Sequence, residues 1–382
     1  MNSPAPDRIA LESYRSRVRG ALLGGAIGDA LGGPVEFWDA ALIRQECGDD
    51  GVRSFLPETV DGRPVYGRIT DDTQMTLFTV EGMIRASVRT DRGLGFTVAV
   101  VHHAYDRWLD TQYLAGPDGE QDGWLIDERW LYSRRAPGNT CLSALEAARA
   151  GHRKLEHFGD AAVNQSKGCG GVMRSAPFGL LPPWTSVAPE WKFDAAAEAA
   201  AYTHGHITGR LASGALAMLI GALVGGQQLG EAVGTTLRVL AQHPGHEETL
   251  RALERAVEAA QQSEPPSVVT MEALGAGWVA EEALAMAVYA ALVHPEPGRM
   301  LDALSFAVTH SGDSDSTGAI CGNILGALHG EAALPPELAF EVEGRGTILT
   351  MADDFVYEFT AGRRLHGDYG PYTRWTKRYP GW

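Results

Sequence analysis

Residues 20–36 read GALLGGAIGDALGGPVE, and glycine recurs in this stretch at every fourth position. Residues 318–330 repeat that interval, and residues 209–225 repeat it with glycine, serine and alanine. Because residues four apart share one face of an α-helix, each stretch predicts a helix with a groove free of side chains. Each glycine costs a helix roughly 1 kcal/mol relative to alanine, so we expect unusually close helix–helix packing, which would bring the helix ends together. The positions are Gly20, Gly24, Gly28 and Gly32; Gly209, Ser213, Ala217, Gly221 and Gly225; and Gly318, Gly322, Gly326 and Gly330.

The rest of the chain follows helical periodicity, and few runs alternate as strands do. The sequence therefore predicts an all-α fold in which three long loops, 37–68, 111–138 and 180–193, are functional. No linker or low-complexity segment divides residues 1–382. We expect one domain, with core motifs in 14–330 and a C-terminal extension, 350–382, packed on it. The predicted helices are 14–32, 72–87, 94–110, 139–150, 195–224, 230–241, 247–262, 280–293, 300–310 and 317–329.

The composition restricts the kinds of partner. The chain of 382 residues is 45% hydrophobic, enough for a sizeable core, and 32 Lys and Arg against 48 Asp and Glu give a net charge of −16. A field of that sign repels phosphate backbones and anionic lipids, so we expect no nucleic-acid or membrane partner. The apolar run 211–224 contains Ser213 and Gly214 and is too short to span a bilayer. The four scattered cysteines and the polar N-terminal residues predict a cytoplasmic protein, which we expect to be a monomer.

Acidic residues lie at the ends of three predicted helices. Pro34 ends the first of these helices and leaves Glu36 in a loop. Residues 70–74 (TDDTQ) and 313–318 (DSDSTG) each open an apolar helix. A helix cap requires one side chain, whereas each opening offers two carboxylates beside hydroxyl groups. Oxygen ligands select Mg²⁺, Mn²⁺ or Ca²⁺, and Ile324 excludes an EF-hand because the twelfth position of that loop should be Glu. The two clusters predict a two-metal site.

Residues 164–174 (NQSKGCGGVMR) are the best candidate for an anion-binding loop. Small residues expose backbone N–H groups, and Lys167 and Arg174 add positive charge. The loop matches neither a Walker A motif nor a dinucleotide-binding fingerprint, and a tight structural turn explains it equally well. We interpret His204 as a packed core histidine that could border a pocket. The aromatic and basic residues near the C-terminus are expected to pack on the protein surface rather than to contact RNA: Arg363, Arg364, Tyr372, Trp375, Lys377, Arg378, Tyr379 and Trp382.

Taken together, these motifs resemble those of the ADP-ribosylglycohydrolase family. The segments GAIGDALG followed by Glu36, TDDT at 70–73, SKGCGGVMR at 166–174 and GDSDSTG at 312–318 occur in the family's order. The resemblance implies an all-α, compact orthogonal helical bundle of the ADP-ribosylglycohydrolase type. It also implies a dinuclear Mg²⁺ or Mn²⁺ centre at the base of an ADP-ribose cleft.

The resemblance further implies roles for individual residues. Glu36 and Asp72 are the implied catalytic residues, with Glu36 as the loop acid that approaches metals and substrate. The implied metal ligands are Thr70, Asp71, Asp72, Asp313, Asp315 and Ser316. The implied contacts to the diphosphate and distal ribose are Ser166, Gly168, Gly170, Gly171, Val172 and Met173, with Asn139 and His204 lining the same cleft.

The implied reaction is hydrolysis of the N-glycosidic bond between ADP-ribose and an arginine side chain of a modified protein, with release of ADP-ribose. Some members of the family carry an Asp shortly before the segment Gly138–Thr140, whereas this chain has Arg135-Ala136-Pro137 there. Glu36 and metal-bound water would therefore act as the acid and base. Serine-linked or small-molecule conjugates, a non-catalytic ADP-ribose-binding or structural relative, an immunity protein and a metal-dependent phosphohydrolase stay open as alternatives.

Overall fold

The computed structural model describes residues 6–118, 122–152, 159–262, 265–360 and 373–381. These residues contain 17 α-helices and one antiparallel pair of strands, β1 (Glu58–Val60) and β2 (Arg63–Val65), in which Glu58 pairs with Val65. The predicted all-α fold is confirmed. The helices are α1 Arg8–Gly32, α2 Ala40–Cys47, α3 Asp71–Asp91, α4 Ala99–Tyr113, α5 Asn139–His152, α6 Ala176–Gly179, α7 Pro189–Ala201, α8 Ile207–Val224, α9 Leu229–Leu240, α10 Glu247–Ala260, α11 Val268–Leu274, α12 Ala280–Val293, α13 Met300–Val308, α14 Ser314–His329, α15 Pro336–Glu341, α16 Arg345–Thr360 and α17 Arg374–Arg378.

The two glycine-rich helices, α1 and α14, pack against each other backbone to backbone. A Cβ atom added at Gly28 would lie 2.0 Å from the carbonyl oxygen of Gly318, and one added at Gly322 would lie 2.0 Å from that of Gly24. The pairing is antiparallel, so the C-terminal end of α1 at Gly32 meets the N-terminal end of α14. The predicted close packing is confirmed for this pair, and it brings the Glu36 loop beside the acidic opening of α14.

The third small-residue stretch behaves differently. The predicted helix 195–224 is two helices, α7 and α8, because residues 202–206 form a turn between them. Gly209 faces the backbone of Lys167, and Gly221 faces the side chain of Lys192. The small residues of α8 therefore admit a loop and a long side chain at its two ends. The predicted close helix packing occurs at Ala217, whose carbonyl oxygen would lie 2.4 Å from a Cβ atom added at Gly179 on α6.

Helix α8 is the one helix of the described residues that is long and apolar enough to cross a membrane, with 18 residues and a mean hydropathy of 1.7. Ser213 does not interrupt it, because its hydroxyl donates to the carbonyl oxygen of Gly209 at 2.9 Å. Inside the protein 83% of the helix is buried, and it packs against α7, α9, α12 and α14. The apolar side chains of α8 are therefore buried in the hydrophobic core of the protein.

The described C-terminal residues pack on α1 and α3. Asp353 on α16 accepts hydrogen bonds from Arg15 at 2.9 Å and from Arg19 at 2.6 and 2.7 Å. The Trp375 indole donates to Glu358 at 2.7 Å, and Tyr379 is buried. Lys377 and Arg378 lie in α17, and Arg378 donates to Asp354 at 2.7 Å. The other four members of the predicted C-terminal group, Arg363, Arg364, Tyr372 and Trp382, lie outside the described residues.

Candidate functional site

The start of α3 is held by a carboxylate from α1. Asp29, fully buried, accepts from the backbone N–H of Thr70 at 2.9 Å, from that of Thr73 at 3.0 Å and from the Thr73 hydroxyl. Thr70 caps α3 through its hydroxyl, which accepts from the N–H of Asp72 at 3.3 Å. Asp29 therefore fixes the turn that presents Asp71 and Asp72. The sequence prediction gave Asp29 no role.

The start of α14 repeats this arrangement with its own carboxylates. Asp313 caps the helix, and its side chain accepts from the N–H of Ser316 at 3.3 Å. Asp315 accepts from the same N–H at 2.9 Å. The Cys169 thiol donates to the second oxygen of Asp313 at 2.8 Å, so the 164–174 loop contacts this helix start directly.

A cavity of about 220 Å³ lies between these segments. Five carboxylates line it, and opposite them stand residues of the 164–174 loop with His204 and Trp278. The lining residues predicted from the sequence are Glu36, Asp71, Asp72, Asp313, Asp315, Ser316, Gly168, Gly170, Met173 and His204.

Five residues assigned to the cleft do not line that cavity. Thr70 acts as the helix cap, and Val172 is fully buried in the core. Ser166 supports the loop, with its hydroxyl 3.2 Å from that of Thr140 and accepting from the N–H of Gly168 at 3.3 Å. Asn139 is exposed at the start of α5. Gly171 packs against Ala200 and Ser213. The structure thus places these residues in the supporting frame of the cleft.

The carboxylates of the cavity have no cationic neighbour in its wall. Among the described lining residues none is Lys or Arg. Burial and then the charge of Asp315 raise the pKa of Glu36 to about 8, and the same causes raise the pKa of Asp29 to about 7. Burial and Asp315 also raise the pKa of Asp71, Asp72 and Asp313 well above the usual range. Such a cluster is stable as anions only when positive charge enters the cavity.

The donor atoms fit a hard divalent cation. Carboxylate and hydroxyl oxygens are the ligands that Mg²⁺ and Mn²⁺ prefer. One oxygen of Asp72, Oδ1, is buried without a hydrogen-bond partner in the described structure. A bound cation would satisfy this oxygen. The described residues contain no His, Cys, Asp or Glu group of three already close enough to hold an ion, so the ligand set stays a prediction.

The glycines of the 164–174 loop are required by the close approach of His204. A Cβ atom at Gly170 would lie 3.0 Å from the ring carbon Cε1 of His204 and 2.7 Å from the sulfur of Cys141. Burial, with a smaller effect from Arg174, lowers the pKa of His204 to about 3. The ring is neutral at pH 7, and its Nδ1 lies 2.8 Å from the Thr203 hydroxyl. His204 is thus both a packed histidine and a cavity wall.

The two cations of this loop do not face the cavity. Lys167 forms ion pairs with Glu248 at 2.5 Å and with Glu281. Arg174 is 1% exposed, lies 4.1 Å above the Tyr105 ring and donates to the Thr203 hydroxyl at 2.6 Å. Lys167 is neutralised by two carboxylates, so the prediction that it adds positive charge to an anion site is wrong. Arg174 lies behind the lining residues Cys141 and His204, where its charge still acts on the cavity wall, so its contribution stays a prediction.

The segment 275–279 places Trp278 in the lining of the cavity, and the sequence prediction does not include it. The carbonyl oxygen of Ala276 accepts from the N–H of Asp313 at 2.9 Å, and that of Trp278 accepts from the N–H of Cys169 at 3.2 Å. Gly277 has φ of +80° and packs on Asp313. This segment therefore ties the α14 opening to the 164–174 loop. The one local sequence feature that indicates this segment is Gly-Ala-Gly-Trp at 275–278. Its glycines permit the turns that bring the Trp278 ring to the cavity.

Comparison with known proteins decides the family. The sequence profile of ADP-ribosylglycohydrolase matches residues 10–364. The chain belongs to the ADP-ribosylglycohydrolase family. The resemblance carried by the motifs is confirmed, and the protein is a hydrolase of that family.

Relatives of this chain match over most of their length. The chain is 25% identical over 342 residues to the uncharacterized protein YegU of Escherichia coli (strain K12), covering 86% of this chain and 92% of that protein. It is 26% identical over 339 residues to the ADP-ribosyl-(dinitrogen reductase) glycohydrolase of Rhodospirillum rubrum, covering 85% and 89%. A solved structure, an ADP-ribosylglycohydrolase-related protein complex, has a TM-score of 0.61 at 23% identity over 91% of this chain and 99% of that one. The last likeness supports the fold.

Arg135 stands in this chain near the position where some members of the family carry an acid. Its guanidinium pairs with Glu343 at 2.8 Å and donates to the carbonyl oxygen of Ile69 at 2.8 Å. Its own carbonyl oxygen accepts from the N–H of Asp71 at 3.3 Å. Arg135 therefore supports the 69–71 turn on the side away from the cavity, and Glu36 is the acid at the cavity that precedes the two acidic helix starts in the chain.

Proposed function

We propose that this protein is a metal-dependent hydrolase that cleaves the N-glycosidic bond between ADP-ribose and an arginine side chain of a modified protein. The observation that carries the proposal is the group of five carboxylates, buried around one cavity without a cationic neighbour in its wall. The relative from Rhodospirillum rubrum is named for removal of ADP-ribose from dinitrogen reductase, which supports a protein-linked conjugate as the substrate.

Two Mg²⁺ or Mn²⁺ ions fit the donor set of the cavity. Asp71, Asp72, Asp313 and Asp315 would hold them, with the hydroxyls of Thr70 and Ser316 beside the same two helix starts. When bound, such ions orient ribose hydroxyls and lower the pKa of water. The two helix starts bring these ligands together from distant parts of the chain, so the ions would also fasten α3 to α14.

We assign the proton transfer to Glu36. The reaction breaks the bond from ribose C1 to the guanidino nitrogen, water adds at C1, and the leaving nitrogen takes up a proton. Burial is the larger cause of the raised pKa of Glu36, and it persists when cations neutralise Asp315, so Glu36 can take up a proton and deliver it to that nitrogen. Glu36 follows the rigid α1–α14 pair, which fixes its position at the cavity edge.

The opposite wall binds and orients the ADP-ribose in this proposal. Gly168 and Gly170 leave no side chain between the cavity and His204, so the substrate can approach the loop backbone closely. The neutral imidazole of His204 offers a hydrogen-bonding nitrogen without adding charge to the site. Met173 and Trp278 supply apolar surface that excludes water from the bond to be broken.

The experiment that tests the proposal measures products from two conjugates. An arginine-linked and a serine-linked ADP-ribosyl peptide are incubated with the protein in Mg²⁺, in Mn²⁺ and in EDTA, and ADP-ribose and inorganic phosphate are quantified by chromatography. We expect ADP-ribose from the arginine-linked peptide with either metal and none in EDTA. Release of phosphate instead would identify a phosphohydrolase, and cleavage of the serine-linked peptide alone would reassign the linkage.

Two variants test the metal ligands in the same assay. Asp72→Asn and Asp315→Asn should abolish turnover and weaken Mg²⁺ binding measured by titration calorimetry. The matched control is Asp39→Asn, which changes an exposed helix cap to an equally good one. If both cavity variants release ADP-ribose at the wild-type rate in EDTA, the metal-dependent mechanism is refuted.

A further inference from the structure

Two exposed aromatic rings stand at the edge of the cavity. Phe37 directly follows Glu36 and is 76% exposed, and Trp278 lines the cavity and is 41% exposed. Their rings stack with centroids 5.7 Å apart and planes 23° apart. Two large apolar side chains that stay exposed in contact with each other beside a cavity form a candidate binding surface.

Backbone contacts hold both rings in place. The carbonyl oxygen of Trp278 accepts from the N–H of Cys169, and the next residue, Val279, forms an isolated bridge with Gly168. On the other side, the N–H of Trp38 donates to the carbonyl oxygen of Val35 at 2.8 Å, which closes the turn that contains Phe37. The aromatic pair therefore joins the Glu36 turn to the loop assigned to ADP-ribose.

We propose that Phe37 and Trp278 form the subsite that recognises the guanidinium group of the modified arginine. This inference rests on the proposed function and specifies its leaving-group side. A guanidinium is planar and cationic, it stacks on aromatic faces, and the attraction persists without a counter-charge. The rings lie beside Glu36, the acid assigned to protonate the leaving nitrogen, so a side chain stacked on them would present that nitrogen to Glu36.

The chemistry of the competing linkage distinguishes this subsite from a general apolar contact. A serine-linked conjugate presents a neutral oxygen and a short stem, which gain little from an aromatic face. An arginine-linked conjugate presents a cation whose plane can lie flat on the exposed face of Trp278 or Phe37. Aromatic recognition should therefore favour the arginine linkage over the serine linkage and over free ADP-ribose.

The experiment compares KM and kcat for arginine-linked and serine-linked peptides in Phe37→Ala, Trp278→Ala and Trp278→Phe. For the arginine-linked peptide we expect KM to rise roughly fivefold to tenfold in each alanine variant, with kcat less affected, and to recover in Trp278→Phe. Turnover of the serine-linked peptide and the affinity for ADP-ribose, measured by calorimetry, should change less than twofold. The control is Phe340→Ala, which removes a ring that is 73% exposed on α15, away from the cavity lining.

A second readout uses small guanidines, without turnover. Free arginine should inhibit the wild-type protein competitively and citrulline, its neutral isostere, should not, and the inhibition by arginine should weaken about fivefold in Phe37→Ala. Equal losses for both linkages, or equal inhibition by arginine and citrulline, would overturn the subsite while leaving the hydrolase proposal intact. Absence of ADP-ribose release from either peptide by the wild-type protein would instead refute the proposed function. Phe37→Ala keeps the test decisive if Trp278→Ala fails to fold, because Phe37 is mostly exposed.

Discussion

Asp29 shows how one buried carboxylate organises the site without lining its cavity. It accepts three hydrogen bonds from Thr70 and Thr73 at the start of α3. In an Asp29→Asn variant one acceptor oxygen is replaced by an amide that faces those donors. We expect the free energy of unfolding to fall by about 1–3 kcal/mol and the affinity for Mg²⁺ to fall with it, because the Asp71–Asp72 turn loses its support. Chemical denaturation and titration calorimetry measure the two effects.

The matched control for Asp29→Asn is Asp39→Asn at the exposed start of α2. Asp39 accepts from the N–H of Leu42 at 2.7 Å, and asparagine caps helices as well as aspartate does. Its change in stability should therefore be close to zero. Should the two variants lose the same stability and keep the same Mg²⁺ affinity, Asp29 would have no particular role in positioning the site.

His204 gives the stability of the protein a predictable pH dependence. Burial, with Arg174 contributing less, lowers its pKa from 6.5 to about 3. Between pH 6.5 and pH 3 the His204 ring is protonated in the unfolded chain but not in the folded protein. The neutral, buried ring therefore imposes no loss of stability above pH 6.5, and the free energy of unfolding falls as the pH decreases from 6.5 towards 3. His204→Gln should flatten the slope of unfolding free energy against pH in that window by up to about 1.4 kcal/mol per pH unit. Chemical denaturation of both proteins at several pH values measures this slope. Equal slopes for wild type and His204→Gln would contradict the lowered pKa of His204.

At the scale of elements, the glycine stripes determine whether the site forms. A methyl group at Gly28 would lie 2.0 Å from the backbone of Gly318, so α1 and α14 must separate in Gly28→Ala. We expect a loss of about 3 kcal/mol or more, because overpacking against backbone cannot be relieved by a rotamer change. Mg²⁺ affinity should also fall, because Glu36 and Asp315 lie at the ends of this pair. Thermal unfolding and calorimetry test both results.

Gly230→Ala is the control for the helix-propensity part of this change. Gly230 lies in α9, and a Cβ atom there would meet nothing within 4 Å. Alanine should stabilise the protein there by up to about 1 kcal/mol, since it is the better helix former. A Gly28→Ala variant as stable as wild type would show that the two helices tolerate a wider spacing than the structure has.

The sequence predicts those features of the fold and site that depend on local patterns. The glycine interval predicts close helix–helix packing, and the structure shows that α1 and α14 are partners. The two acidic helix starts can be recognised because a cap uses adjacent residues. The sequence does not show that Lys167 is neutralised, because its partners Glu248 and Glu281 lie 81 and 114 residues away in the chain. Trp278 was missed for the same reason, since its position depends on contacts with the loop at Cys169.

At the scale of the whole molecule, the acid cluster opposes folding until cations bind. The five carboxylates of the cavity concentrate negative charge in a protein whose net charge is already −16. After burial, the charge of Asp315 is the next cause of the raised pKa values of Glu36, Asp71, Asp72 and Asp313. A carboxyl with a raised pKa stabilises the metal-free fold only while it is protonated. Stability in EDTA should therefore fall as the pH rises towards 8, where Glu36 loses its proton. Mg²⁺ competes with those protons, so its affinity should rise over the same interval.

Asp315→Asn separates repulsion from metal binding. The variant removes the charge that raises its neighbours' pKa values, so in EDTA at pH 8 we expect it to be more stable than wild type by about 1 kcal/mol, since one pKa unit corresponds to about 1.4 kcal/mol. Mg²⁺ at a hundred times its dissociation constant should stabilise wild type by about 2.7 kcal/mol and leave the variant unchanged. The order of the two melting temperatures should thus reverse when Mg²⁺ is added.

Asp49→Asn, at a side chain that is 98% exposed, is the control and should follow wild type in both conditions. A variant that is less stable than wild type in EDTA would show that Asp315 is not the source of the repulsion, and one that gains as much stability from Mg²⁺ as wild type would show that Asp315 is not a ligand.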